Sequence, residues 1–590
     1  MKLRINAFIF LFIWILSSAA LISANVNSET KAKCSLLRED KVEWTKYYNS
    51  EEMLCIMKEL EKKFPTLSKI YTIGKSYLGK DLHLMEITNR QIKPALEKPA
   101  IYIDGNMHTG EQTGAMLTLY MIYHLLNNYG KDERITRLVD NFTFYLRPKY
   151  QVDASDWWLE NPGDTDYGGS VRPRDNDLDG EFDEDGQEDL NGDGFITWMR
   201  IIDLKGEWKV SEKDPRAMVR REPHEMEGTF YRLLSEGIDN DGDGKFNEDG
   251  LGGVNLSHNF SWGNRNREQI LSSPYTMSEP ETRATVEFWM SHPNIFMAID
   301  LHTSGSVEEL LYFPGGEDMP PSDFALFKHF ASAYAKLTQR EEVLPLMKEF
   351  PQPIWRLGMG DPEPFIYYYM GVFGWCEELW GDDYANPFLR KYDLDKNKII
   401  SQDEILAFLD NEAGGRWFIP WKKFSHPQLG EVEIGGLVHK FTTQNPPPEF
   451  LEKELKFKLP WYLYLTEMAP RVKIKKAEVK NLEGNIFSLK VTIENQGFLP
   501  TNITEWATKT GLAKPVTVEL ICENALILEG EQKVKLGHIP GNQVLSSSEG
   551  LPENRRSTFW VIKKIGKRGK AKIKVISEKA GTESQEVIFE

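Results

Sequence analysis

The chain has few cysteines, few histidines and no second long apolar run. Four cysteines in 590 residues exclude a disulfide-rich scaffold, and no Cys-x-x-Cys pair is present to hold a structural zinc. Cys34 and Cys55 are near enough in the chain to pair in an oxidising compartment, although unpaired thiols are an equal alternative. Beyond residue 24, no segment has the roughly 20 apolar residues that cross a bilayer. The 11 histidines are few enough that each one following a strand is informative.

The first 24 residues have the layout of a secretory signal. Lys2 and Arg4 form a basic start, Ala7–Leu16 is an uninterrupted apolar stretch, and small residues follow it. Because this apolar core is shorter than a membrane span, we predict cleavage of residues 1–24, with retention as an anchor as the alternative. The mature protein is therefore expected to be exported, whether secreted, periplasmic or at the cell surface.

The composition is that of a globular protein, with 41% hydrophobic and 27% charged residues, but the net charge of −18 is unevenly distributed. Residues 175–194 hold ten acids and no base, and residues 239–249 hold five acids and one lysine. These two stretches carry 14 of the 18 surplus negative charges. An acidic body argues against nucleic acid as a partner, since phosphate binding needs clustered bases. The acidity is instead local and calls for a bound cation.

Apolar strands alternate with helical segments over residues 35–469, which predicts an α/β domain with a largely parallel sheet. The acidic segment 175–250 interrupts this rhythm with two copies of one pattern, DNDLDGEFDEDG and DNDGDGKFNEDG. Residues 470–590 change to short alternating strands without a helix signal, which predicts a small all-β sandwich. A chain of 590 residues is too long for one ordinary domain, in agreement with this division.

Three predicted strands end in residues that bind metals or transfer protons. The strand in AIYIDGNMHTGE continues into His108 and Glu111, and the strand in IFMAIDLHTSG ends in His302. The strand in GVFGWCEELW ends in Glu377 and Glu378. In open α/β sheets, ligands bind beyond the carboxyl ends of the strands, so these residues are expected to converge. Two histidines and one carboxylate are a common ligand set for catalytic zinc, with a further carboxylate as general base.

These motifs, in this order, resemble those of the zinc carboxypeptidases, and the resemblance covers about Glu43–Leu465. The segment Ile73–Ile87 is similar to the strand pair that precedes the family's zinc motif. The resemblance implies a mixed, mostly parallel eight-stranded sheet flanked by helices. It also implies one zinc ion, with the ligands His108, Glu111 and His302.

The same resemblance implies that Glu378 is the general base, because the family's base is followed by an aliphatic residue, here Leu379. The implied activity is that of a secreted zinc metallopeptidase that hydrolyses C-terminal peptide bonds. Its partner would be a peptide or protein substrate.

The residues expected to recognise the substrate's carboxylate depart from the family's pattern. Ser257 and His258 stand where the family has an Asn-Arg pair, and Asn255 replaces the Asp that orients the first zinc histidine. The arginine that polarises the scissile carbonyl corresponds to Arg172 or Arg174. Because histidine is not a permanent, bidentate cation, either the substrate has a different end group or the protein is a weakly active or inactive relative. Retention of the zinc and base residues favours activity.

Asp-x-Asp-x-Asp-Gly repeats predict structural calcium loops, since oxygen ligands at every second position precede a glycine turn. The twelve-residue stretch Asp393–Glu404 also has the ligand order of an EF-hand, but Lys398 is its sixth residue, where glycine is expected. A solvated acidic surface is the alternative. The predicted calcium ligands are Asp175, Asp177, Asp179, Glu184, Asp189, Asn191, Asp193, Asp239, Asp241, Asp243, Asp393, Asp395, Asn397 and Glu404.

Two alternatives to an active peptidase remain open. One is a catalytically weak or inactive, calcium-stabilised protein that binds a surface, and the other is a zinc amidase acting on cell-wall peptides. From Arg471 onward the chain holds 20 bases and 14 acids, which is compatible with binding of an anionic surface polymer and equally with a solvated lysine-rich face. Zinc content and hydrolysis of a peptide panel separate these hypotheses.

Overall fold

The computed structural model describes residues 42–165, 168–175, 179–260, 274–303, 319–339, 361–384, 386–542 and 554–590. The predicted signal at residues 1–24, Cys34 and the predicted calcium ligand Asp177 lie outside these ranges. Cys55 is disulfide-bonded, whereas Cys376 and Cys522 are free thiols. Within the described ranges, no helix is both long enough and apolar enough to cross a membrane.

In chain order, the strands of the described residues are β1 (Ser68–Lys75), β2 (Asp81–Ile87), β3 (Ala100–Gly105), β4 (Thr143–Arg147), β5 (Trp198–Ile202), β6 (Trp208–Val210), β7 (Met218–Arg220), β8 (Tyr231–Ser235), β9 (Ile295–His302), β10 (Phe373–Glu378), β11 (Phe418–His426), β12 (Gly430–Leu437), β13 (Val472–Glu483), β14 (Ile486–Asn495), β15 (Val516–Glu523), β16 (Ala525–Glu529), β17 (Lys533–Gly537), β18 (Arg555–Lys564), β19 (Gly569–Ser577) and β20 (Gly581–Phe589). The α-helices are α1 (Ser50–Lys63), α2 (Gln112–Asn128), α3 (Glu133–Asn141), α4 (Val152–Glu160), α5 (Pro280–Ser291), α6 (Pro321–Leu337), α7 (Pro362–Met370), α8 (Gln402–Glu412), α9 (Pro448–Glu467) and α10 (Glu505–Thr510).

The central sheet is mixed and mostly parallel, so the predicted α/β fold class is confirmed. Its strand order is β1-β2-β4-β3-β9-β10. Strands β4, β3, β9 and β10 run parallel to one another, while β1 and β2 are antiparallel additions at one edge. The described residues supply six strands to this sheet, compared with the eight that the resemblance implies. Strands β3 and β9 are buried along their whole length, which explains why they are apolar runs rather than alternating patterns.

Helix α2 approaches β3 and β9 so closely that only glycine fits at the contact. A Cβ atom on Gly105 would lie 2.3 Å from the carbonyl carbon of Gly114. A Cβ atom on Gly114 would lie 2.6 Å from the carbonyl oxygen of Leu301. Glycine permits this approach of one backbone to another. The first turn of α2, with Glu111 immediately before it, is therefore held against the ends of β3 and β9.

The acidic segment leads into a second sheet that was not predicted from the sequence. Strands β5 to β8 join β11 and β12 in the order β11-β12-β5-β8-β6-β7, and the paired strands are antiparallel. Strands β6 and β7 are three residues long, too short to show a periodic pattern. Strands β11 and β12 come much later in the chain, and their pairing with the insertion has no local signal.

The C-terminal region forms the predicted all-β structure. Two four-stranded antiparallel sheets, β13-β14-β18-β16 and β17-β15-β19-β20, enclose an apolar core that includes Leu489 and Trp560. The expectation that this region lacks helices is wrong, because α10 lies between β14 and β15. The carboxylate of Asp323 accepts hydrogen bonds from the backbone N–H groups of Glu505 and Trp506 at the start of α10. A helix of six residues is too short to be stable alone, so it depends on such tertiary contacts in addition to its local caps, Thr504 and Gly511.

Candidate active site

The structure brings four of the predicted site residues together at the C-terminal edge of the central sheet. His108 and Glu111 lie in the turn between β3 and α2. His302 is the last residue of β9 and Glu378 is the last residue of β10, and the parallel register places these two side by side. The strand ends therefore present two imidazoles and two carboxylates to one space.

The donor atoms of three of these residues point at one another. His108 Nδ1 and His302 Nδ1 are 3.1 Å apart. Each of these nitrogens lies 2.9 Å from a different carboxylate oxygen of Glu111. The backbone N–H of Thr303 donates to Glu111 Oε2 at 3.2 Å and fixes the orientation of that carboxylate. Two imidazole nitrogens and a carboxylate within one small space are the donor set of a zinc site, so the residues fit one zinc ion.

The electrostatics of these residues favour a cation at the same point. Burial alone would raise the pKa of Glu111, but His108 and His302 outweigh burial and lower it to about 2. Burial lowers the pKa of His302, but Asp300 and Glu111 outweigh burial and raise it well above its usual value. Both directions mean that positive charge is stabilised between the carboxylates, which is what a bound metal ion requires.

Glu377 and Glu378 point to opposite faces of the sheet, since successive side chains of a strand alternate. Glu377 Oε2 accepts a hydrogen bond from the buried indole N–H of Trp461 at 3.0 Å. Glu378 instead groups with His302 and Cys376, and the donor atoms of these three lie within 4.8 Å of one another. The geometry therefore favours Glu378 over Glu377 as the carboxylate that acts at the site.

The segment that follows the insertion contacts His108 from its other side. Asn255 Oδ1 lies 3.2 Å and Ser257 Oγ lies 3.0 Å from His108 Nε2. Asn255 thus occupies the position that the resemblance assigns to the residue orienting the first zinc histidine. The His258 side chain is 38% exposed, and its Nε2 lies 3.8 Å from Asp361 Oδ1. Ser257 is thus engaged with His108, whereas the side chain of His258 is partly exposed.

The two arginines predicted to bind substrate are both engaged with the protein. Arg172 Nε donates to the carboxylate of Glu279 at 2.9 Å. Arg174 Nη1 donates to the carbonyl oxygen of Gly253 at 3.2 Å, and Gly253 is two residues before Asn255. Arg174 therefore lies beside the segment that contacts the zinc-site histidine, whereas Arg172 forms an ion pair with a buried carboxylate.

Three further carboxylates lie close to the site and were not predicted from the sequence. Asp300 Oδ2 is 2.6 Å from His302 Nε2. Asp361 and Glu363 stand at the start of α7. Each of the three has a buried carboxylate oxygen without a hydrogen-bond partner among the described residues. Asp300 had a signal, because it stands two residues before His302 on the same strand face. Asp361 and Glu363 had none, since their position depends on how α7 packs against β10.

The two copies of the acidic pattern lie side by side. The backbone N–H of Asp185 donates to the carbonyl oxygen of Asp249 at 3.0 Å, which pairs the copies. Glu248 was not among the predicted ligands, although it occupies the place in the second copy that Glu184 has in the first. Two clusters have carboxylate oxygens within 4.8 Å of one another: Asp239, Asp241 and Asp243 in the second copy, and Asp185, Asp241 and Glu248 across both copies.

The described residues of the four predicted calcium loops make the same contacts. In the loops that begin at Asp175, Asp189, Asp239 and Asp393, backbone N–H groups of the turn donate to the first aspartate. Lys398 adopts the left-handed conformation at a steric cost that glycine avoids. The loop that contains it still brings the carboxylates of Asp393, Asp395 and Glu404 within 4.8 Å of one another. The sixth residues, with their φ angles, are Gly180 (106°), Gly194 (90°), Gly244 (92°) and Lys398 (64°).

Comparison with known proteins gives two family matches and several relatives. A family model described as zinc carboxypeptidase matches residues 53–198 and 202–384. A model described as a domain of unknown function matches residues 471–588. Carboxypeptidase D from Anas platyrhynchos is 31% identical over 127 residues, which is 21% of this chain and 9% of that protein. Metallocarboxypeptidase A from Trichophyton rubrum is 33% identical over 114 residues, which is 19% of this chain and 26% of that protein.

These curated relatives are thus matched over only a small part of their own length. Among solved structures, carboxypeptidase A from Helicoverpa armigera aligns with 60% of this chain and 71% of its own, at 15% identity and a TM-score of 0.37. The family match itself includes the turn that carries His108 and Glu111 and both strand ends that carry His302 and Glu378. Because that match covers more than half of the 590 residues, the chain belongs to the zinc carboxypeptidase family.

Proposed function

We propose that the protein is a zinc metallopeptidase that hydrolyses peptide bonds at the C-terminal end of its substrates. The observation that carries the proposal is the convergence of the donor atoms of His108, Glu111 and His302, with Glu378 beside them. Membership of the zinc carboxypeptidase family supports it.

In this proposal the chain supplies the metal ligands and the group that transfers protons. When bound, zinc supplies Lewis acidity, which polarises a carbonyl group and makes water nucleophilic near neutral pH. A carboxylate oxygen of Glu378, beside His302, takes the proton that water loses during attack. The same oxygen then delivers that proton to the nitrogen of the leaving amine. Glu377 takes no part, because Trp461 holds it on the opposite face of the sheet.

Replacing His302 with alanine is expected to remove the bound zinc, because the substitution deletes a ligand nitrogen. Elemental analysis of the purified protein measures the metal stoichiometry. Glu377→Gln is the matched control, since it alters a buried carboxylate of the same sheet and leaves every ligand in place. Wild-type zinc content in the His302→Ala protein would contradict the ligand assignment.

Glu378→Gln keeps the shape of the side chain and removes its basicity. Turnover is expected to fall by at least ~10²-fold, the usual contribution of a positioned acid–base group. Zinc content is expected to stay unchanged, because Glu378 is not a ligand. Steady-state hydrolysis and metal analysis of the same preparation measure both quantities. A variant as fast as the wild type would refute the role as base, and a variant without zinc would make Glu378 a ligand.

Recognition of the substrate's end is where this chain departs from its family. His258 is not a permanent cation, and its nearest carboxylate is Asp361 at 3.8 Å. We infer that peptides with a free C-terminal carboxylate are poor substrates near neutral pH. A cell-wall peptide or another amide with a different end group is therefore the second candidate substrate.

His258→Arg is expected to increase kcat/KM for a peptide with a free carboxylate by roughly 10-fold, because arginine donates two charge-assisted hydrogen bonds. The same peptide with an amidated C-terminus is the control and is expected to show no gain. Kinetics of both peptides with both proteins provide the measurement. No change with either peptide would mean that residue 258 does not face the substrate's end.

We also propose that the protein is exported and that its acidic loops bind structural calcium. The apolar N-terminal stretch supports export, and exported proteins meet calcium concentrations high enough for weak sites. The carboxylate clusters supply oxygen donors only, which suits calcium. Burial and the neighbouring Asp185 raise the pKa of Glu248 to about 7, so these acids repel one another unless a cation joins them.

Removal of calcium is expected to open the inserted segment before it affects the C-terminal sheets. Limited proteolysis in EGTA is expected to produce cuts within residues 179–250, and added calcium, but not added zinc, is expected to suppress them. Asp241→Asn should have the same effect at normal calcium, because Asp241 belongs to both carboxylate clusters of the insertion. Glu207→Gln, a change of an exposed carboxylate in the same insertion, is the control. Cutting that is equally slow with and without EGTA would contradict calcium binding.

Binding of an anionic polymer by the C-terminal region has weaker support. Several of its basic side chains form ion pairs with acids of the protein and offer less charge to a ligand. These side chains are Lys473, Lys475, Lys514, Arg555 and Lys570.

A further inference from the structure

Asp300 lies behind a zinc-site histidine and is shielded from solvent. It is 3% exposed, and its Oδ2 lies 2.6 Å from His302 Nε2. The other nitrogen of that ring, Nδ1, faces Glu111 at 2.9 Å. A carboxylate accepts a hydrogen bond and cannot donate one when ionised. Asp300 therefore keeps the ring proton on Nε2 and leaves the lone pair of Nδ1 directed at the other ligands.

Asp300 belongs to a row of buried charges that crosses three neighbouring parallel strands. The register pairs Arg147 of β4 with Asp104 of β3, and Asp104 with Asp300 of β9. Arg147 is fully buried, and its guanidinium donates to Thr285 Oγ1 at 2.6 Å and to the carbonyl oxygen of Tyr150 at 2.7 Å. The row thus consists of one hydrogen-bonded cation, Arg147, and two carboxylates. Asp300, at the end of the row, contacts His302.

Asp104, the middle residue of the row, lies next to Asp300 and accepts a hydrogen bond of its own. Tyr102 donates from its hydroxyl to Asp104 Oδ2 at 2.8 Å. Burial, and then the charge of the neighbouring Asp300, raise the pKa of Asp104 well above its usual value, while Arg147 opposes them. Two adjacent buried carboxylates share a proton more readily than they both ionise. The register places the carboxyl group of Asp104 next to that of Asp300, and this proximity is the geometric basis of their mutual effect.

Among the described residues, the side chains that contact His108 Nε2 are the neutral ones of Asn255 and Ser257, at 3.2 and 3.0 Å. A carboxylate that orients a metal-binding histidine raises its basicity as a ligand, which a neutral amide does to a smaller extent. In this chain the carboxylate partner stands behind His302 instead.

We propose that Asp300 is a positioning residue for His302, and that Asp104 and Arg147 hold its carboxylate in place. This inference rests on the zinc site of the proposed function. It assigns a role to three buried charges that neither bind the metal nor touch the substrate.

The test is the zinc affinity of Asp300→Asn, measured on metal-stripped, full-length protein by competition with a chromophoric chelator. The zinc dissociation constant is expected to rise about 10- to 100-fold, the usual effect of removing a carboxylate behind a ligand histidine. Asp104→Asn is expected to raise the dissociation constant less than Asp300→Asn does, because Asp104 lies one strand further from His302. Glu377→Gln is the matched control, a buried carboxylate on the opposite face of the same sheet, and is expected to bind zinc as the wild type does.

Two further measurements keep the outcomes distinct. Thermal unfolding of the metal-free proteins shows whether Asp300→Asn only destabilises the fold. A lower unfolding midpoint together with the lower zinc affinity would count against the proposal. Histidine ¹⁵N spectra of the zinc-loaded wild type need no variant and are expected to show the His302 proton on Nε2; a proton on Nδ1 overturns the proposal. Wild-type affinity in Asp300→Asn also overturns it, whereas a wild type that binds no zinc refutes the zinc site itself.

Discussion

The close contact of helix α2 with strands β3 and β9 is the constraint on which the site depends. Gly105 and Gly114 bring the two backbones together, and Gly114 also abuts the carbonyl oxygen of Leu301. The first contact fixes the turn that carries His108 and Glu111, and the second places that turn beside His302. A side chain at either glycine would push the helix away by more than the site tolerates, since the distances between zinc and its ligands vary by only tenths of an ångström.

The second organising feature is a concentration of buried carboxyl groups around the metal position. These groups are the carboxyls of Glu111, Asp300, Asp361, Glu363 and Glu378. Among the described arginines, Arg147 acts on this group indirectly, because its charge lies near Asp104, the neighbour of Asp300. Buried carboxylates are costly unless they are paired or protonated. The inserted loops also gather acidic side chains, because carboxylates of two chain segments meet there. In both places the chain brings acids together in a way that becomes favourable when a metal ion joins them.

The sequence allowed the residues of the candidate site to be predicted because they stand at the ends of apolar runs or in the turn that follows one. Burial on both faces makes β3, β9 and β10 recognisable as apolar segments, and parallel strands bring their ends to one edge. The aliphatic residue Leu379, which follows Glu378 as it follows the family's base, then separated Glu378 from Glu377, a choice that the alternation of side chains also supports. In contrast, the second sheet joins strands from distant parts of the chain, which leaves no local pattern. Helix α10 has local caps in Thr504 and Gly511, but it is only six residues long and depends on Asp323 as well. Asp361 and Glu363 belong to the same class, since they reach the site only through the packing of α7.

The insertion is joined to the metal-binding turn at both of its ends, which links the acidic loops to the zinc site. On the entry side, the hydroxyl of Thr109, the neighbour of His108, donates to the carbonyl oxygens of Gly168 and Gly169. On the exit side, Asn255 lies 3.2 Å from His108. The two ends are themselves paired, because Ser170 N–H donates to the carbonyl oxygen of Val254 at 2.9 Å. The acidic loops lie between these two ends. The positions of Asn255 and Ser257 beside the zinc-site histidine therefore depend on how those loops fold. The fold of the insertion and the surroundings of His108 are thus coupled through these contacts.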